Sequence, residues 1–182
     1  MACRSIDRSP AGLGWVGQGK DHCSGGSAVG RGERRGHKRK IGAADLGIDL
    51  SQGSDPEVFK WLIACQLFGE RISQEIAAKT FTELDKEGYT TPKKLAEADW
   101  QALVDVLGRG GYRRYDESTA GELISIGQYM LDSYAGSMSK LRDDAGGSKK
   151  EISSRIQEFK GVGPTAAKIF MREMWTVWSA TG

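Results

Sequence analysis

The stretch ISSRIQEFKGVGPTAAKIF, residues 152–170, decides the fold. Ile152, Ile156 and Phe159 recur at helical spacing, and Pro164 suits the first position of a second helix that carries Ile169 and Phe170. Between the two lies Lys160-Gly161-Val162-Gly163. The glycines permit positive φ and leave no side chain between the backbone and an approaching ligand. Val162 reads as a hydrophobic plug, and Ala166 and Ala167 are small enough for two helices to pack closely. The amides of Gly161, Val162 and Gly163 are expected to point outward beside the positive end of the second helix. That arrangement binds a phosphate without reading its base. An ordinary tight corner between two helices is the plainer alternative.

Working outward, residues 55–176 read as helix after helix. Asp55-Pro56-Glu57 is a start signal with Asp55 as the N-cap, followed by Phe59, Leu62, Ile63, Gln66 and Leu67 on one face. A second helix is expected from about Glu70 to Glu87, ending at Gly88. A short third opens at Thr91-Pro92. Asp99 caps a fourth that stops at Gly108, and a longer one runs from about Tyr115 to Tyr134. A Gly/Ser/Asp-rich loop follows, and then the hairpin, spanning about residues 148–175. No segment alternates over a strand length, so the class is all-α.

Twelve of the 25 glycines fall between Gly12 and Gly53. Such a stretch buries too little apolar surface to offset its ordering entropy, so residues 1–54 are expected to form a disordered tail. Within it, Gly30 to Lys40 carries six basic residues and one acidic one, either a phosphate-contacting arm or a solvated tail. Residues 177–182 are expected to fray. The net charge is +2, with nine Lys and Arg against five Asp and Glu in residues 1–54 and 17 against 19 in the remainder. Any DNA binding by the folded part must therefore come from local placement of donors.

The longest apolar run, Trp61 to Cys65, is far too short to span a membrane, and Arg4, Asp7 and Arg8 interrupt any signal-peptide pattern. Cys3, Cys23 and Cys65 form neither a disulfide framework nor a metal cluster, and His22 and His37 have no ligand partners at useful spacing. An intracellular location (cytoplasm, nucleoid or nucleus), no metal, no membrane partner and a monomer are expected, with Cys65 in the core.

The hairpin segment resembles that of the base-excision DNA glycosylases related to endonuclease III, the helix-hairpin-helix (HhH-GPD) superfamily. The resemblance runs from about Asp55 to Trp175. It implies a multi-helix bundle of two lobes and a double-stranded DNA partner, damaged or abasic. Trp61-Leu62-Ile63-Ala64-Cys65-Gln66 is similar to the family's early helix, whose glutamine fills the space left by a flipped base. Gln66 takes that role by resemblance, or else is a partly buried helix-end residue. Leu107 to Arg114 resembles a family loop in which basic residues follow Gly-Tyr. Arg113 and Arg114 are then phosphate contacts, or else a solvated helix start.

The family's lyase members attack with a lysine two residues after the second hairpin glycine, where this chain has Thr165. A hydroxyl forms no Schiff base. Lys168, one turn later, is a weak substitute displaced by about one helical turn. No catalytic residue is identified. The family's aspartate after the second hairpin helix and its four-cysteine iron–sulfur loop are not found, so no cofactor is expected, and the two-lobe fold is expected to be incomplete. The apolar surface near Phe170, Met171, Met174 and Trp175 is then expected to be exposed, with marginal stability. The implied function is duplex-DNA binding in base-excision repair through Gly161, Val162, Gly163, Thr165, Lys168, Gln66, Arg113 and Arg114. The alternatives are a non-catalytic helix-hairpin-helix module or a helical protein-interaction domain.

Overall fold

The structure is a computed structural model that describes residues 40–180. The expectations for Cys3, His22, Cys23, His37 and most of the basic run lie outside these residues. A short 3-10 helix, Ala44–Leu46, precedes α1 (Asp55–Gly69), α2 (Gln74–Lys86), α3 (Pro92–Ala96), α4 (Trp100–Gly110) and α5 (Asp116–Tyr134). Then come α6 (Met138–Asp144), α7 (Lys149–Ile156) and α8 (Pro164–Ala180). Among the described residues there is no strand, and the class is all-α.

Caps explain most boundaries. The side chains of Ser73, Thr91, Asp99, Ser137 and Ser148 each accept from a first-turn amide of α2, α3, α4, α6 and α7 respectively. Ser73 is why α2 begins at Gln74 and not at Glu70. At α1 the N-cap is Ser54, and Asp55 has another task. Its Oδ1 accepts from the Ser139 amide at 2.8 Å and the Ser139 hydroxyl at 2.6 Å, tying the start of α1 to the start of α6. Burial alone would raise the Asp55 pKa, but these bonds, Ser137 and nearby Arg142 hold its carboxyl below the usual range. The α4 helix runs past Gly108 and ends at Gly111, which takes the left-handed conformation with φ 95°.

Two groups of helices emerge. In one, α3 packs on α5, α2 on α4, and α4 on α5; in the other, α8 packs on both α1 and α7. The α1 helix joins the groups through α2 and is apolar nearly all round, with Val58, Phe59 and every residue from Trp61 to Phe68 buried. Gly127 lets α5 approach α3, since a Cβ there would stand 2.6 Å from the Ala96 amide nitrogen and 2.7 Å from the Pro92 carbonyl oxygen.

The expected tail boundary at residue 54 is overturned over residues 41–54. Ala43, Ile48 and Leu50 are buried, and the segment crosses α8, α2 and α1. The Ala43 amide donates to Glu173 Oε2 at 3.0 Å, the Ile41 amide to Gln74 Oε1 at 3.1 Å and the Asp49 amide to Glu57 Oε2 at 3.3 Å. Burial of Ile48 and Leu50 and the three side-chain acceptors on other helices favour the ordered arm despite its glycines. The apolar face of α8 is likewise covered: Phe170, Met171 and Met174 are buried, with α8 packed on α1 and α7, and Trp175 is half-buried. Residues 177–180 do not fray, since α8 continues to Ala180 with Trp178 buried edge-on to Phe170 at 5.7 Å. Among the described residues no helix is long and apolar enough to cross a membrane.

Candidate nucleic-acid interface

The turn between α7 and α8 is anchored by its apolar residues. Ile152, Ile156, Phe159 and Val162 are all buried. The Phe159 ring meets Tyr129 edge-on at 5.1 Å and stacks near Tyr134 at 6.3 Å, both on α5. The Tyr129 hydroxyl donates to Glu158 Oε2 at 2.8 Å, and that hydrogen bond pushes its pKa up to about 12. The turn is thus fixed to α5 at several points.

Its two glycines do different jobs. Gly161 has φ 84°, and a Cβ there would run into the Glu122 carboxylate of α5. Gly163 has no positive φ and open space where a Cβ would stand. Gly161 therefore shapes the turn, and Gly163 keeps its outer side bare. One expectation is corrected here: the Val162 amide donates to the Phe159 carbonyl at 3.0 Å, closing the turn internally, so it is not offered outward.

Gly163 also precedes α8 at the cap position without a side chain to cap it. The first intrahelical bond of α8 is donated by Ala167 to the Gly163 carbonyl at 3.0 Å. Pro164 has no N–H, and among the described residues nothing accepts from the Thr165 or Ala166 amides. Both lack an acceptor in the described chain at the positive end of a 17-residue helix, but Ala166 is buried against Gly69, so only the Thr165 amide faces outward. Thr165 is exposed, and so is Lys168 one turn on. Both line a groove with Lys40, Phe68 and Arg172. Thr165 also lines a cavity of about 400 Å³ with Glu70 and the turn itself.

Gln66 lies elsewhere than its expected role requires. It is 1% exposed, and its Nε2 donates to Glu122 Oε2 at 2.9 Å while its Oε1 has no partner. Because α1 is enclosed on all sides, a residue one turn before its end faces the interior, so Gln66 is not presented for insertion into a duplex. The residue at that helix end is Glu70, beside Gly69, whose Cβ position would be 3.0 Å from Ala166 Cβ at the start of α8.

Sequence reasoning missed Glu70 and Glu122. Loss of hydration raises the Glu122 pKa; the Gln66 hydrogen bond opposes this, Glu70 adds to it and Lys160 opposes it. Periodicity in α5 carried no signal for this, since Glu122 is half-buried at a face that the hairpin and Gln66 of α1 cover.

Arg113 and Arg114 are exposed in the α4–α5 connection. Arg114 lies over the Tyr115 ring at 5.3 Å, and Arg113 lines a groove that also holds Asp105 and Asp116. Among the described residues neither arginine shares a groove with the turn. Cys65 is buried, and burial pushes its thiol pKa well up, as for an unreactive core residue. Among the described residues no three metal-ligating side chains come together. No protein-family model, curated protein or solved structure matches the chain.

Proposed function

We propose that the chain binds duplex DNA, as a helix-hairpin-helix protein of base-excision repair would, with one backbone phosphate seated on the α7–α8 turn. The observation that carries this reading is the bare start of α8. The exposed Thr165 amide has no acceptor among the described residues, Gly163 leaves the approach open, and exposed Lys168 lies one turn on. Arg113 and Arg114 add further phosphate contacts on the same reading and no sequence choice. Five other helices here are capped by side chains, and α8 shares its uncapped start with α1 and α5 but alone places it beside a glycine-bared turn.

The binding has no Schiff-base chemistry at its centre, because Thr165 offers only a hydroxyl. A hydrolytic reading, glycosidic-bond cleavage without a covalent enzyme step, rests on Glu70. Its carboxylate lines the cavity shared with Thr165 and the turn, where a cation-like sugar would be stabilised. Titration of a fluorescent blunt duplex tests the binding, with a steep salt dependence expected. Borohydride trapping on an abasic duplex is expected to give no adduct. Release of a damaged base that is lost in Glu70→Gln would establish the hydrolytic reading.

A further inference from the structure

A groove of about 1010 Å³ runs between α7 and α8. Lys149, Lys150, Lys168 and Arg172 line it, and its described lining holds no carboxylate. Arg172 pairs with Glu173 at 3.0 Å, but among the described residues no carboxylate lies within ion-pair distance of the three lysines. The groove also has an apolar surface, made by Met171 and by the half-buried ring of Trp175, with Lys149 Nζ 5.4 Å from the ring centroid.

We propose that this groove binds single-stranded nucleic acid, with phosphates on the lysines and Arg172 and one base against Trp175. Charge complementarity selects a polyanion. The aromatic surface selects one with flat, unpaired rings, the combination used where single strands are held without sequence preference. A duplex fits less well, because its bases are stacked away and it presents only convex rows of phosphates. Lys149 covers the Trp175 ring now; its flexible stem lets the ammonium move to a phosphate as a base takes the ring face. The inference is separable from the duplex reading through Trp175 and Lys150, which are not part of the turn, although Lys168 is common to both.

The test is anisotropy titration of the full chain with a fluorescein-labelled oligo(dT) of about 16 nucleotides at low salt, a length typical of single-strand sites. Trp175→Ala is expected to weaken binding about tenfold or more, and Trp175→Phe to retain most of it. Lys150→Glu, at an exposed position that leaves the fold intact, is expected to lower the affinity and flatten its salt dependence. Blunt-duplex affinity should be unchanged in Trp175→Ala, whereas Gly163→Ala should do the reverse. Unaltered oligo(dT) binding in Lys150→Glu overturns the proposal. So does inorganic polyphosphate competing as well as oligo(dT) at equal charge, or the failure of oligo(dT) to bind.

Discussion

Alanine at Gly161 and alanine at Gly163 should have separable effects on stability and on DNA binding. At Gly161 the backbone is left-handed with φ 84°, and the new methyl would meet the Glu122 carboxylate. The left-handed conformation costs a non-glycine residue roughly 1–2 kcal/mol. Displacing Glu122 from its Gln66 hydrogen bond costs about another 1–2 kcal/mol. The total of about 2–4 kcal/mol corresponds to a Tm lowered by roughly 6–12 °C for a domain of this size. At Gly163 the methyl meets nothing within 4 Å and the backbone is ordinary, so Tm should move by no more than about 2 °C. Yet that methyl stands on the bare side of the turn, where a phosphate would approach the Thr165 amide. Gly163→Ala should therefore weaken duplex binding while melting like the parent. Circular dichroism melts beside duplex titrations read both effects. Equal losses of Tm in the two variants, or full duplex affinity in Gly163→Ala, would refute the division of labour.

Further outcomes follow from the same geometry. Lys168→Ala should weaken duplex binding equally for all sequences and reduce the slope of log affinity against log salt by about 1. The folded-state pKa of Glu122 is raised, so its stabilising contribution is full at pH below its ordinary value of 4.5 and is lost as pH rises through the folded value. Glu122→Gln should accordingly melt higher than the parent at pH 7, with the difference shrinking toward pH 4. Asp55 has the opposite sign: its lowered pKa gives stability present above its ordinary 3.8 and lost as pH falls through the folded value. Asp55→Ala should cost about 2–3 kcal/mol in urea unfolding at pH 7, and less in acid, because two Ser139 donors lose their acceptor. Phe159→Ala should cost about 3–5 kcal/mol by removing the ring held between Tyr129 and Tyr134.

Local signals made much of this structure legible in the sequence. Thr91 and Asp99 cap where their side chains predict, Pro164 opens α8, and the Gly161 turn falls between two helices. What escaped depends on tertiary contact. The α6 helix hides in a Gly/Ser/Asp-rich stretch, and its signals were only the Ser137 cap and the buried pair Met138 and Leu141 three residues apart. Glycine content argued against order in residues 41–54, but three apolar anchors and three side-chain acceptors on other helices hold that arm. Spacing places Gln66 on one face of α1, whereas α1 is enclosed nearly all round and turns the amide inward to Glu122. The inequivalence of Gly161 and Gly163 is invisible in the motif, because it arises from a carboxylate 39 positions earlier in the chain.

The most direct test is an anisotropy titration of the full chain with a blunt fluorescent duplex, repeated from about 20 to 200 mM salt. Saturable binding should fall with salt at a slope of about −2 to −4, as expected for a few neutralised phosphates, and weaken in Gly163→Ala. A chain that leaves the duplex untouched even at the lowest salt contradicts the assignment of the α7–α8 turn as a phosphate seat.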